Sequence, residues 1–302
     1  MTELERRLCG RFGNRLQTGR PLADLTSFGI GGPADLLLVV EEVAELVFAL
    51  CAADQAGVPA FCLGAGTNLL VSDRGVRGLV LRLGRTFQQL RIDGSRLIAG
   101  AAAPFGRVVE TAVAAGLGGL EFGEGIPGSV GGALVMNAGA FGGELAQVVR
   151  RVEGVTRAGV ELALEREQAG FAYRKSGLPG GFVVTAAEFE LTPADPASLR
   201  ERVAVLRARR QARQPSGLPN AGSVFKNPPG QFAGRLLEAV GLKGYRLGRA
   251  AFSDRHANFI VNLGGARASE VRELVGLASR RVKDRFDVSL EPELKMVGDW
   301  SD

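Results

Sequence analysis

The chain has 302 residues, 46% hydrophobic and 23% charged, with a net charge of +5 and a pI near 9.5. That size and composition fit a globular protein of two or three domains. No apolar run reaches membrane-span length, and the opening MTELERRLCG lacks the apolar centre of a signal peptide. One histidine, His256, and three cysteines, Cys9, Cys51 and Cys62, at no metal-like spacing, leave no material for a zinc site or a Ser-His-Asp machine. The expectation is a cytoplasmic protein with reduced thiols and no metal.

In chain order, residues 3–16 read as a polar lead-in helix, and Leu36–Val40 as a strand after a glycine turn. Val43, Leu46, Val47, Leu50 and Cys51 recur at helical spacing, so 41–54 is an amphipathic helix, and 59–63 is a second strand of a small parallel unit. Gly64-Ala65-Gly66-Thr67-Asn68 then follows a strand directly, a place where main-chain N–H groups often hold phosphate. Leu69 stands where a dinucleotide fingerprint needs its third glycine, and the next segment is a turn. A pyrophosphate loop of another design and a plain β-turn both remain open.

Strands are predicted over 78–83, 90–92 and 97–101, and a helix begins after Pro104. The segment Phe122–Leu145, FGEGIPGSVGGALVMNAGAFGGEL, carries glycine at 123, 125, 128, 131, 132, 139, 142 and 143. Such density loses backbone entropy and packs few side chains, yet the segment is nearly uncharged, unlike a surface linker. Main chain lying flat on a bound cofactor explains it, and close packing of two chain segments is the alternative. The string Gly123-Glu-Gly125-Ile-Pro-Gly128 spells G-x-G-x-x-G, but Pro127 interrupts it and no apolar strand precedes it, so it is not a Rossmann fingerprint.

Residues 149–165 and 182–191 alternate like strands, and Thr192–Pro196 reads as a boundary. The Arg-rich run 200–213 has Leu199, Val203 and Leu206 at helical spacing, an amphipathic helix with a solvated basic face. Basic residues are dispersed among acidic ones, which suits an anionic small molecule better than nucleic acid. Beyond it come a short helix ending at Gly241, a strand over 258–262, a long helix marked by Val271, Leu274, Val275, Ala278 and Val282, and a closing strand over 288–297.

Several polar residues in these turns can carry chemistry. Arg174, after Tyr173, offers a planar guanidinium to a carboxylate. Lys175 and Lys226 can meet phosphate or lie on the surface. Ser223, in Asn-Ala-Gly-Ser, has no nucleophile-elbow context, but its hydroxyl can deliver a proton or cap a turn. Glu291 and Glu293 share one strand face around Pro292, facing either a ligand or solvent. His256 stands at a strand entry as a ligand contact or a satisfied core histidine.

The segments SFGIGGPAD, LGAGTNLLVSDRG, GIPGSVGGALVMNAGAFGGE, YRKS, NAGSVFKNP, HANFIVN and LEPELKMVG, in this order, resemble the UDP-N-acetylenolpyruvoylglucosamine reductase (MurB) family from about Leu25 to Gly298. The resemblance implies an α+β protein: an FAD-binding region of the vanillyl-alcohol-oxidase type in two subdomains, 1–80 and 81–192, and a C-terminal α+β substrate domain, 193–302. It implies noncovalent FAD, NADPH as co-substrate, a UDP-sugar substrate, and no nucleic-acid or membrane partner; a monomer is expected. Gly64, Ala65, Gly66, Thr67 and Asn68 match the first pyrophosphate loop. Gly123, Ile126, Pro127, Gly128, Gly132, Asn137 and Gly139 belong to the stretch that wraps the flavin. Arg174, Ser223 and Glu293 match the family's catalytic arginine, proton-donating serine and acidic partner. Tyr173, Lys226, Asn227 and His256 match substrate-facing positions. No extra segment near 245–260 supplies a substrate-closing loop, so the chain looks like the family's shorter type. Another flavoenzyme of the same fold and a non-enzymatic basic binding protein are the competing readings.

Overall fold

The structure, a computed structural model, describes residues 2–301. Its chain forms two compact units. One comprises the segments up to Thr18, Leu36–Ala65 and Gly78–Arg210; the other comprises Gly19–Asp35, Gly66–Arg77 and the chain from Gln211 onward. This differs from the three consecutive segments 1–80, 81–192 and 193–302 that the sequence suggests. The chain passes between units within the strands Leu16–Pro21, Pro33–Val40 and Val76–Leu83, between Ala65 and Gly66, and within the helix Pro196–Arg213.

In the first unit, a five-stranded antiparallel sheet runs in the order Glu161–Glu165, Val149–Val155, Val183–Glu190, Arg96–Gly100, Leu90–Asp93. Helices α1 (Glu3–Phe12) and α2 (Val43–Gln55) bury Leu4, Leu8, Leu46 and Leu50 in a core shared with Leu38, Leu79 and Leu81. The strand Ala60–Cys62 is parallel to Val76–Leu83. That second strand lies between it and Pro33–Val40, so the small parallel unit is interleaved by a third strand.

Helix α3 (Phe105–Ala114) begins after Pro104, whose missing N–H costs nothing there. It buries Phe105, Val108, Val109 and Ala112, the i, i+3, i+4, i+7 face, in a second core. Each larger side chain so buried contributes about 1.5–3 kcal/mol. The short helix α4 (Val130–Val135) follows its cap Ser129.

Helix α5 (Pro196–Arg213) was expected in the C-terminal domain, but up to Arg210 it belongs to the first unit. Leu199 is buried in the same core as Phe105 and Phe189. The basic face is partly paired: Arg202 reaches Glu121 at 3.4 Å and Arg207 reaches Glu124 at 2.7 Å.

In the second unit, the antiparallel order is Asn220–Ser223, Phe259–Asn262, Ala250–Phe252, Arg246–Leu247. Helices α6 (Ala233–Ala239) and α7 (Ala268–Phe286) contribute Leu237, Val271, Leu274 and Val282 to its core. The early residues Phe28, Ile30 and Leu70 complete that core. The closing strand is shorter than the predicted 288–297: only Lys295–Val297 is regular, parallel to Leu69–Val71. Pro292, which has no N–H to donate, makes an isolated bridge with Phe225 instead.

Asp73 links an early segment to the last helix. Its two carboxylate oxygens accept from the N–H groups of Ala268, at 2.7 Å, and Ser269, at 2.9 Å, at the start of α7. A carboxylate there satisfies orphan donors and faces the positive end of the helix dipole. Asp73→Ala is expected to lower stability by about 1 kcal/mol, and Asp73→Asn by less. Urea unfolding of the two variants beside the parent measures both differences.

Candidate functional site

Ser223 ends the strand Asn220–Ser223, and the register shifts between those two residues. Gly222, with φ of +76°, supplies the irregular backbone, and its N–H donates to Asn220 Oδ1 at 3.0 Å. A bulge of this kind re-aims the next side chain. The Ser223 side chain is half-buried.

Beyond Ser223 the chain is gripped from both sides. The Glu293 N–H donates to the Val224 carbonyl at 2.8 Å, and the Lys226 N–H to the Glu291 carbonyl at 2.9 Å. On the other flank, the Val224 N–H donates to the Asn258 carbonyl at 2.9 Å. The buried Asn258 side chain accepts from Phe225 N–H at 3.0 Å and donates to the Phe225 carbonyl at 2.8 Å, replacing a strand neighbour. Glu293 is thus held on the segment adjoining Ser223. Sequence reasoning passes over Asn258; the available signal is a lone asparagine inside the apolar run HANFIV.

The two candidate glutamates part company here. Glu291 is exposed and pairs with Lys226 Nζ at 2.6 Å, whereas Glu293 is half-buried. Lys226 is therefore neutralised on its own unit. Asn227 uses Oδ1 to accept from Ala233 N–H at 3.0 Å, at the first residue of α6. Asn68 donates to the Glu293 carbonyl at 3.1 Å and accepts from Lys295 N–H on its own carbonyl at 3.1 Å. It holds the Glu293 segment in place.

His256 lies against α6, where a Cβ on Gly234 would stand 2.9 Å from its ring, and edge-on to Phe259 at 5.1 Å. Its Nδ1 accepts from Asn258 N–H at 3.2 Å, which puts the proton of the neutral ring on Nε2. Burial lowers its pKa from the usual histidine value.

In the first unit, Arg174 occupies the tip of a tight turn in which Ala172 and Lys175 exchange main-chain bonds of 2.9 and 3.0 Å. Its φ is +54°, its Nη2 donates to the Gly139 carbonyl at 2.7 Å, and its guanidinium lies 4.9 Å from the Tyr173 ring centre. Tyr173 is 49% exposed, leaving its ring available to a ligand. Asn137 is fully buried, with both ends of its amide bonded to the chain: Nδ2 to the Ala172 carbonyl at 3.0 Å, and Oδ1 from Ala146 N–H at 2.9 Å. Both ends of the Asn137 amide therefore hold the chain itself in place.

A profile of the FAD binding domain matches residues 34–164, and one described as UDP-N-acetylenolpyruvoylglucosamine reductase, C-terminal domain, matches 214–297. The UDP-N-acetylenolpyruvoylglucosamine reductase of Anaeromyxobacter sp. (strain Fw109-5) is 47% identical over 298 residues, covering 99% of this chain and 92% of the relative. The chain belongs to the UDP-N-acetylenolpyruvoylglucosamine reductase family. The solved reductase of Thermus caldophilus is 41% identical, with a TM-score of 0.81 over 93% of this chain and 98% of that one. Wild-type Phl p 4.0202, a glucose dehydrogenase, is 16% identical with a TM-score of 0.50 over 65% of this chain, a likeness of fold alone. The architecture is an FAD-binding region of the vanillyl-alcohol-oxidase type joined to a C-terminal α+β substrate domain.

The first unit of this reductase-family chain fits a dinucleotide. A Cβ on Gly64 would stand 2.8 Å from Ser129 Oγ, so only glycine lets those two turns approach so closely. Among the described residues, no acceptor meets the N–H groups of Gly64, Ala65, Gly125, Gly128 or Ser129. Gly125, Pro127 and Gly132 are exposed, with Ile126 and Gly128 half-buried, so the stretch presents mainly backbone. Converging main-chain donors suit a pyrophosphate. Two other glycines of the stretch have a different cause. A Cβ on Gly123 would press on the Phe105 ring at 2.7 Å, and one on Gly139 would meet the Gly143 carbonyl at 2.4 Å. Close packing of chain segments therefore accounts for the glycine at these two positions. Ser129 was also passed over, although a serine just before an apolar helical run is a readable cap.

The lowered His256 pKa has a signed consequence. Its folded value lies below its unfolded one, so the stabilisation is complete above about pH 6.5 and is lost as pH falls through the folded value. His256→Gln is expected to flatten that acid limb of the stability profile. Thermal melts of both proteins between about pH 7 and pH 5 measure the difference in slope.

Proposed function

We infer that this chain is an NADPH-dependent flavoenzyme that reduces the enolpyruvyl group of UDP-N-acetylglucosamine enolpyruvate to UDP-N-acetylmuramate, a step of peptidoglycan precursor synthesis. The observation that carries this reading is that the family relationship spans both the flavin-binding region and the segments bearing Ser223 and Glu293.

Gly64, Ala65, Gly66 and Thr67, with Gly125, Ile126, Pro127, Gly128, Ser129 and Gly132, hold the dinucleotide, largely through main-chain N–H groups. With FAD held there, the site would have a carrier for hydride from NADPH to the outer alkene carbon. Charge then develops on the substrate carboxylate as an enediolate, and the Arg174 guanidinium steadies it. Ser223 Oγ delivers a proton to the inner carbon, completing the addition of hydride and proton across the double bond. Glu293, on the segment beside Ser223, is the acidic partner of this step. Tyr173, Lys226, Asn227 and His256 meet the nucleotide sugar.

The flavin is noncovalent. Residues 34–164 contain no histidine, and burial pushes the Cys62 thiol up to about 12, far from a reactive thiolate. We also propose that the protein acts as a monomer in the cytoplasm. The free thiols Cys9, Cys51 and Cys62 and the nucleotide substrates support the compartment.

Purified protein should be yellow, bleach with NADPH and recover colour with the enolpyruvyl nucleotide sugar; recovery with dioxygen alone would point to an oxidase. Ser223→Ala should leave flavin reduction by NADPH close to the parent rate. Its reoxidation by the nucleotide sugar should slow by about 10²–10⁴-fold. Stopped-flow absorbance separates the two half-reactions, and an equal fall in both would remove Ser223 from the proton-donor role.

A further inference from the structure

Among the described residues, four other than glycine have clearly positive φ: Asn137 at +41°, Phe141 at +54°, Arg174 at +54° and Asp287 at +56°. Asp287 ends helix α7 in the left-handed cap that many helices use. The other three lie on the glycine-rich stretch and on the Arg174 turn. Left-handed backbone at a side-chain-bearing residue persists only where its surroundings impose it.

The surroundings of Arg174 are specific. Three bonds hang the segment 172–176 from residues 135–139. Ser176 Oγ donates to the Val135 carbonyl at 3.0 Å, Asn137 Nδ2 to the Ala172 carbonyl at 3.0 Å, and Arg174 Nη2 to the Gly139 carbonyl at 2.7 Å. Asn137 is the rigid member. It follows α4, its N–H donates to Leu134 at 3.0 Å, and Ala146 N–H fixes its other amide atom. An amide that is fully buried and bonded at both ends has one orientation only.

We propose that Asn137 is a positioning residue for Arg174: its amide sets the 172–175 turn and so aims the guanidinium. The proposal rests on the reading of Arg174 as the carboxylate-steadying cation. It goes beyond that reading by giving the arginine's aim a cause 37 positions upstream, on the stretch that holds the flavin. A guanidinium that recognises a carboxylate through two parallel bonds is sensitive to small displacements of its backbone. Filling of the flavin site and aiming of Arg174 are then linked through one side chain.

The test uses FAD-loaded enzyme carrying Asn137→Asp, Asn137→Gly, Arg174→Lys, or Asn137→Asp with Arg174→Lys. Aspartate keeps the acceptor for Ala146 and loses the donor to Ala172; glycine removes both bonds but accepts the positive φ without strain. Each Asn137 variant should slow flavin reoxidation by the nucleotide sugar about tenfold relative to flavin reduction by NADPH, equivalent to about 1.4 kcal/mol. The loss should fall on kcat more than on KM. On the Arg174→Lys background, Asn137→Asp should add little, because both changes act on one element. Equal slowing of both half-reactions, or full additivity of the double variant, would overturn the proposal. If Arg174→Lys is slow while both Asn137 variants keep parent rates, the positioning role fails and the reading of Arg174 stands. If Arg174→Lys itself reoxidises normally, that reading fails, and the proposal with it.

Discussion

Irregular backbone in this molecule is held in place by asparagine side chains. A primary amide carries one acceptor and a donor group, as a peptide unit does, so it can stand where a strand neighbour is missing. Asn258 does this for Phe225, and Asn137 for Ala172 and Ala146. Asn262 donates to the Phe28 carbonyl at 2.9 Å and accepts from Gly264 and Ala266 at 2.8 and 3.1 Å. Regular strands could not present Ser223, Glu293 and Arg174 at a bulge, a short bridge and a left-handed turn. Those backbones still need partners once buried, at a cost of about 1–3 kcal/mol for each group left unmet.

The same feature explains what the sequence does and does not reveal. Helical spacing located α2, α3 and α7 with little error, because the periodic apolar face is written in neighbouring residues. The family segments single out Ser223, Arg174 and Glu293 as candidates. What stays hidden is long-range partnership. The family pattern marks Asn137 as a cofactor position and gives no sign that its amide partner lies 35 positions away. Asn68 sits in a loop that reads as phosphate-binding, while its amide holds a carbonyl 225 positions on. Helix α5 carries the spacing of a surface helix, but nothing local says which core receives Leu199. Segments 19–35 and 66–77 likewise give no local sign that they leave their neighbours for the other unit.

The arginine excess has a similar local resolution. Arg150 and Arg96 share Glu188 at 2.6 and 3.3 Å, and Arg15 meets Glu45 at 2.6 Å. Such surface pairs contribute little to stability. Their effect is to break the basic surface into small, paired patches. Arg210 differs: burial lowers its pKa, and its guanidinium lies 5.6 Å from the ring of Phe141 on the glycine-rich stretch.

The threading of the chain through both units has a consequence for synthesis on the ribosome. The strand Leu69–Val71 emerges early, but its parallel neighbour, Lys295–Val297, is translated more than 200 residues later. Phe28, Ile30 and Leu70 must also wait for the helices that bury them. The nascent polypeptide therefore carries exposed apolar side chains until elongation is nearly finished, and chaperone protection matters most for this early part. A gene fragment starting near residue 211 would make a product without those three side chains and without a partner for its last strand.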